Sequence, residues 1–316
     1  MISGFDFIVN PASGHGRARK LWHIFESARG GLGSDRIHWT KYRGHAQEIA
    51  NQLQREQASC VVAIGGDGLL NEVVNGLFSG NNSPNDRNRN EGPAIGLAHL
   101  PAGSGCDFAR HFGIPRDPRL WQSVLEVNHR VAVDVGKVTW TSALGEANSR
   151  FFVTLAMAGI AGDIAETMDR WGKPLGGFLS YLLVSLKHLL VAQPREMTLR
   201  VDGENLGEDK YHLVTLANTA TTAGMRIAPD ADTGDGAFDL VLIRGVSRAR
   251  LLCNFARIYK GTHLKVSGVE HWKVKRLTIE SNCQEVKMNI DGEPLGRLPA
   301  CFQVLPGALE LVVPGS

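Results

Sequence analysis

Short apolar runs alternate with helix-spaced apolar positions through the first hundred residues. Runs at 5–9, 36–40, 60–64 and 94–100 read as buried strands. Between them, 17–28 carries Leu21, Ile24 and Phe25 on one side, and 44–56 carries Ile49 and Leu53. Segment 69–78 carries Leu70, Val73, Val74 and Leu77. Strand alternating with helix predicts parallel strands joined by crossover helices, a doubly wound α/β sheet. The loops at Asn10, Thr40, Gly65 and Pro101 then all lie beyond the C-terminal ends of strands, where such sheets bind ligands. After about residue 134 the rhythm changes. Strand-like runs at 151–157, 197–201, 211–217, 238–243, 274–279 and 309–312 follow one another, with helical insertions near 175–191 and 247–260. The pattern predicts an α/β domain over 1–134 and a β-rich domain over 135–316, with the cleft between them as the ligand site. The polar stretch 79–92 reads as a mobile surface loop.

The helix over 174–192 has Leu179, Leu182, Leu183, Leu186, Leu189 and Leu190 at helical spacing, interrupted by Ser185, Lys187 and His188. It reads as a core helix, and the alternative is a wall for a lipid chain. No segment has the roughly 18 uninterrupted apolar residues of a spanning helix. A net charge of +2 over 316 residues points away from nucleic acid. The five cysteines (Cys60, Cys106, Cys253, Cys283, Cys301) are odd in number and form no Cys-x-x-Cys pair, which implies a reducing compartment. The segment Met1-Ile-Ser-Gly-Phe-Asp lacks the basic and apolar regions of a signal peptide, so the expected location is cytoplasmic.

Candidate chemistry gathers in the loops. Gly65-Gly66-Asp67-Gly68-Leu69-Leu70-Asn71-Glu72 joins a strand to a helix, so backbone N–H groups and a helix N-terminus can meet an anion. Asp67 in that turn can act on a phosphate only through a metal ion or a hydroxyl, which points to a nucleotide with Mg²⁺. Asn10-Pro11-Ala12-Ser13-Gly14-His15-Gly16 is a second small-residue turn, and alone it is equally an ordinary helix start. Neither turn is a Walker A loop or a dinucleotide fingerprint. A third turn, Leu100-Pro101-Ala102-Gly103-Ser104-Gly105-Cys106-Asp107, adds a hydroxyl and a carboxylate. Asn289-Ile290-Asp291-Gly292-Glu293 offers carboxylates that can accept a proton from a substrate hydroxyl, or else simply a hairpin turn. Val201-Asp202-Gly203-Glu204 repeats the triplet, and spacing does not choose between the copies. The loop 229–236 holds Asp230, Asp232 and Asp235, oxygen ligands of the kind Mg²⁺ or Ca²⁺ takes, or a solvated acidic turn. Segment 244–276 sets Arg244, Arg248, Arg250, Arg257, Lys260, Lys265, Lys273, Lys275 and Arg276 against Glu270 alone. Its apolar stripe of Leu251, Leu252, Phe255 and Ile258 suits an anionic membrane surface or a core-packed helix with a solvated face.

Taken in order, these segments resemble the diacylglycerol kinase catalytic-domain family of lipid kinases, which includes soluble bacterial diacylglycerol kinases and the sphingosine and ceramide kinases. The resemblance runs from Asn10-Pro-Ala-Ser-Gly14 through Thr40, Gly44-His-Ala46, Gly65-Gly-Asp-Gly68 with Asn71-Glu72, and Pro101 to Arg110. It continues through Asn218, Gly224 and Pro229 to Asp239, and ends at Asp291-Gly-Glu293. It implies a two-domain fold shared with NAD kinases, with an N-terminal doubly wound sheet that binds ATP and a β-rich C-terminal domain. Asn10, Pro11, Ala12, Ser13, Gly14, Thr40, Gly65, Gly66, Asp67, Gly68, Leu69, Leu70, Asn71, Glu72 and Ser104 match its ATP-contacting segments. Asp67 and Asp107 would join the Mg²⁺–phosphate network, and Asp291 and Glu293 become the catalytic copy of the triplet. Asp235, with carbonyls of Asp232 and Ala237, matches a structural Mg²⁺ site of bacterial members, and Asp163 falls where sphingosine kinases have an acid near the substrate head group. Leu69 stands where the family usually has Thr, and Cys106 where it has an amide. The implied function is ATP- and Mg²⁺-dependent phosphorylation of a lipid hydroxyl, diacylglycerol-like. The alternatives are a sphingoid or other long-chain alcohol, or a regulatory protein that binds nucleotide or lipid without turnover. Implied partners are the lipid, an anionic membrane on its inner face and a second copy of the chain.

Overall fold

The structure, a computed structural model, describes residues 4–30, 35–79, 95–142, 144–171, 177–282 and 285–315. The segment 79–92 lies outside the described residues apart from Ser79, and so does Cys283. The chain divides into two compact units, Met1–Val133 with Pro306–Ser316, and Asp134–Leu305.

In the first unit β1 (Asp6–Val9), β2 (Arg36–Trp39), β3 (Cys60–Gly65) and β4 (Gly96–Pro101) alternate with α1 (Arg17–Arg29), α2 (His45–Arg55) and α3 (Asp67–Leu77). Two short helices follow, α4 (Asp107–His111) and α5 (Trp121–Val127). The strands pair in parallel in the order β4-β3-β1-β2, and Leu311 and Val312 near the chain end pair with Leu97 and Ala98 of β4. Every residue of β1, β3 and β4 is buried, which is why these strands read as apolar runs, broken only by the buried Asp6 and His99, rather than alternating ones. The helices close one face with aromatics: Trp22 meets Phe7 edge-on at 5.1 Å, and Phe25 lies 5.8 Å from Trp121.

The second unit is largely antiparallel. Its strands are β5 (His129–Thr141), β6 (Ala147–Phe152), β7 (Leu155–Gly159), β8 (Arg195–Val201), β9 (Glu204–Ala217), β10 (Phe238–Arg244) and β11 (Val269–Val274). β12 (Arg276–Glu280), β13 (Lys287–Ile290), β14 (Glu293–Arg297) and β15 (Ala300–Val313), which from Pro306 onward belongs to the first unit, complete them. Pairing runs β14-β13-β7-β9-β8-β12-β15, with β10 between β9 and β11, and β5 between β15 and β6. Phe152, Leu216, Phe238, Leu240 and Phe302 fill its core. Its helices are α6 (Ile160–Trp171), α7 (Gly177–Val191), α8 (Arg248–Phe255) and α9 (Arg257–Lys260).

Four sequence expectations change here. The run 151–157 is two strands, because the chain breaks at Val153-Thr154 to turn its amides onto a carboxylate. The run 274–279 is likewise split at Lys275. Helix α6 was not anticipated: it contains Gly162, a poor helix residue, which stands where a Cβ would run into the Lys287 backbone. Helix α7 is only half a core helix. Ser180, Val184, Ser185 and Leu189 are buried, while Leu179, Leu183 and Leu190 are exposed.

Candidate active site

Two turns of the first unit meet at one carbonyl, and a third packs against them. The Gly65 oxygen, at the end of β3, accepts the N–H groups of Ala102 (2.8 Å) and Gly103 (3.1 Å) from the turn after β4. The same oxygen receives His99 Nε2 at 3.3 Å and the Cys106 thiol at 3.5 Å. Burial drives the His99 pKa down to about 4, so the ring is neutral and donates. Burial, with Asp67 adding to it, pushes the Cys106 thiol up to about 11, so it is a neutral S–H donor and no nucleophile. The two departures from the family pattern therefore both pack inward, Cys106 on this carbonyl and Leu69 against Gly65 itself. The turn after β1 closes from the other side. Gly14 has φ 60, and a Cβ there would stand 2.5 Å from the Ala102 oxygen. A Cβ on Gly103 would stand 2.6 Å from Gly66 Cα. Only glycine permits backbones this close.

Asp67 opens α3 one residue past the strand. Its carboxylate accepts the N–H of Asp107 (3.1 Å) and Phe108 (3.3 Å), tying the turn after β3 to the turn after β4. Asp67 Oδ2 and Asp107 Oδ2 lie 3.5 and 4.0 Å from one point, the ideal Cβ position of Gly105. Two carboxylates thus flank an exposed glycine. Arg110 binds Asp107 and the Gly105 carbonyl, and Arg116 binds that carbonyl too. Arg116 was missed in the sequence because its contact bridges 11 residues with no motif to mark it. Ser104 is exposed beside them.

Asn10 folds its own turn, its Oδ1 accepting Ala12 N–H at 2.9 Å, with Pro11, Ser13 and Gly14 part-exposed and Ala12 exposed. Thr40 is buried, with its N–H on the Val9 carbonyl. Gly66 and Asp67 are part-exposed, Gly68 is exposed and Leu70 is buried. Asn71 is buried and receives the Asn75 amide. Glu72 accepts the N–H groups of Gly44 (2.9 Å) and Ala46 (3.2 Å), capping α2. That bond links two motifs, Gly44-His-Ala46 and Asn71-Glu72, that are 26 to 28 residues apart.

In the second unit Asp291 sits in the two-residue turn between β13 and β14, with φ 49. Its Oδ1 accepts the N–H groups of Thr154 (2.9 Å) and Leu155 (3.0 Å) and the Thr154 hydroxyl, and Oδ2 accepts Val153 N–H at 2.9 Å. Glu293, half-buried, lies 3.8 Å from Arg150. Asp163 belongs to an ion-pair network, 3.2 Å from Arg195 and 3.7 Å from Lys287, which also holds Glu166 at 2.8 Å. Asp232 accepts Gly234 N–H at 3.0 Å. Asp235 accepts Ala237 N–H at 3.0 Å and is ion-paired with Lys273, whose ammonium is also 3.5 Å from Asp239. Among the described residues no three His, Cys, Asp or Glu side chains form a metal-holding group.

This arrangement is a two-domain kinase fold, and its relatives agree. A model of the diacylglycerol kinase catalytic domain matches residues 5–138, and one of the YegS C-terminal NAD kinase beta sandwich-like domain matches 154–313. The diacylglycerol kinase of Bacillus subtilis is 28% identical over 97% of this chain and 95% of its own length. The crystal structure of a diacylglycerol kinase from Bacillus anthracis superposes with a TM-score of 0.69 at 19% identity, covering 98% of this chain and 97% of that one. An NAD kinase from Archaeoglobus fulgidus in complex with ATP shares the fold at a TM-score of 0.54 and 12% identity, covering 98% and 93%. The chain belongs to the diacylglycerol kinase catalytic-domain family. It is accordingly a kinase that transfers phosphate to an alcohol group.

Proposed function

We propose that the chain transfers the γ-phosphoryl group of ATP, with Mg²⁺, to a hydroxyl of a diacylglycerol-like lipid. The observation that carries this reading is the convergence of three glycine turns beside two carboxylates, Asp67 and Asp107, that face one point. An all-oxygen pair of this kind suits Mg²⁺, which takes one or two protein carboxylates and completes its shell with phosphate oxygens and water. When bound there, Mg²⁺ supplies positive charge against that on the phosphates. Asn10 to Gly14, Thr40, Gly65 to Glu72 and Ser104 hold the nucleotide, directly through the exposed turns and indirectly through the buried members that fix those turns. The α3 N-terminus aims its first-turn N–H groups at the phosphates.

In the transfer, the lipid hydroxyl oxygen bonds to the γ-phosphorus, the bond to the β–γ bridging oxygen breaks, and ADP leaves. The hydroxyl proton passes to Asp291 or Glu293. Four donors hold the Asp291 carboxylate in one orientation, and Glu293 follows two residues later, so the turn presents its acids rigidly. A sphingoid amine has less to recommend it, because Asp163 is already paired with Arg195 and Lys287. The Lys273 ammonium supplies positive charge at Asp235, so a resident cation held by Asp232, Asp235 and Ala237 is not part of the proposal. The protein works in the cytoplasm with peripheral contact to the membrane that holds its substrate.

The test is transfer of radiolabelled γ-phosphate to a panel of lipid extracts and pure acceptors, with Asp67→Ala and Asp291→Ala as controls. A labelled lipid that vanishes in both variants supports the reading and identifies the acceptor. No label in any lipid, with ATP bound normally, overturns it.

A further inference from the structure

Helix α7 is apolar on the side that faces water. Leu179, Leu183, Leu186 and Leu190 recur at intervals of four, three and four, one stripe along the helix. The opposite stripe, with Ser180, Val184 and Leu189, is already packed against the unit. Leu179, Leu183 and Leu190 are 44%, 48% and 59% exposed, and Trp171, Phe178 and Val191 are exposed beside them. Six of the twelve exposed large apolar residues among the described residues therefore lie between 171 and 191. That concentration is not the scatter of single apolar residues an ordinary surface carries.

Positive charge borders the patch. The Lys187 ammonium lies 4.8 Å over the Trp171 ring. Arg248 donates to the Ala192 carbonyl at 2.9 Å, fastening the start of α8 to the end of α7. Helices α8 and α9 bury no residue and carry Arg250, Arg257 and Lys260, and no acidic residue occurs from 245 to 269. At 15 residues α7 is about 22 Å long, too short to span a bilayer, and among the described residues no helix is long and apolar enough to do so. An apolar stripe edged by arginine and lysine is the chemistry of a helix lying in the plane of an anionic membrane surface.

We propose that the outer face of α7, with the basic residues of α8 and α9, is the surface by which this protein docks on an anionic lipid bilayer. The choice of a bilayer over a protein partner rests on the lipid-kinase reading above and on the positive charge of 245–269, a run with no acidic residue. The leucines enter the interface, and the arginines meet the head-group phosphates.

Sedimentation with phosphatidylglycerol-containing vesicles that hold no acceptor lipid, without ATP, tests the surface apart from the chemistry. The wild type should bind at low salt and release at high salt. Leu183→Glu with Leu190→Glu should weaken partitioning roughly a hundredfold, and Arg250→Glu with Arg257→Glu roughly thirtyfold. Both variants should keep wild-type melting temperatures, since the sites are exposed, and wild-type turnover of a short-chain, water-soluble diacylglycerol. Wild-type protein that ignores the vesicles overturns the proposal, as does unchanged binding by the leucine variant. A wild-type dimer that the leucine variant splits, with vesicle binding intact, assigns the stripe to a second copy and also overturns it. Vesicle binding as described with no turnover of any acceptor leaves the surface standing and sinks the kinase reading instead.

Discussion

Asp202-Gly203-Glu204 closes β8 onto β9, and Asp291-Gly292-Glu293 closes β13 onto β14. The two turns share a backbone: φ is 49 at both aspartates, 95 at Gly203 and 88 at Gly292. Positive φ at both central residues suits the right-handed twist of the flanking strands. They share a device as well. Each aspartate turns back to accept amides from a third segment, Lys275 and Arg276 for Asp202, and Val153, Thr154 and Leu155 for Asp291. What separates them is burial. Asp202 and Glu204 are exposed, whereas Asp291 is 8% exposed and Glu293 is half-buried near Arg150. The triplet therefore encodes a turn and an anchor, and burial alone separates the copy proposed to act in catalysis from the copy that is not.

The strongest way to break this comparison is Asp291→Ala against Asp202→Ala. Losing Asp291 leaves three amides and a hydroxyl without their acceptor in a buried place. It should cost about 4 kcal/mol in denaturant unfolding and abolish phosphate transfer. An equal cost at Asp202 would show that burial is not what distinguishes the turns. Next comes Glu293→Gln against Glu204→Gln. The first should lower kcat about a hundredfold with unchanged stability, and the second should change neither, in a steady-state assay with unfolding as control. Asp202→Ala should cost about 1–2 kcal/mol and leave turnover intact, because water replaces much of what the exposed carboxylate supplies. The smallest effect is the most diagnostic of shared geometry. Gly203→Ala and Gly292→Ala meet no atom within 4 Å, so each should cost about 1 kcal/mol through its positive φ alone, and by the same amount.

The first unit was legible because its signals are local. Each buried strand is a mainly apolar run, each helix shows its own period, and β3, the Gly-Gly-Asp-Gly turn and α3 are contiguous. The turns themselves could be read, but not the carbonyl that gathers them, since Gly65, His99, Ala102 and Cys106 meet only in three dimensions. The second unit was less legible because its breaks are set from afar. The interruption at Val153-Thr154 answers to a carboxylate 137 to 138 residues away, and no local pattern announces it. In α7 hydrophobicity misled for a physical reason: a helix apolar all round does not say which side meets the protein. Asp67 and Asp107 were named from motifs, whereas Arg116 and the capping role of Glu72 needed coordinates.

The pairing of Leu311 and Val312 with Leu97 and Ala98 has a consequence in time. At about 5–20 residues per second, a ribosome needs about 10–40 s to make the roughly 210 residues between these partners. Through that interval one side of β4 lacks its neighbour, and β4 leads straight into the third glycine turn. The first unit therefore lacks its last strand when its opening 133 residues emerge, although they are synthesised first. A chain cut short before Pro306 leaves that side of β4 without its partner, next to the turn that carries Ser104 and Asp107.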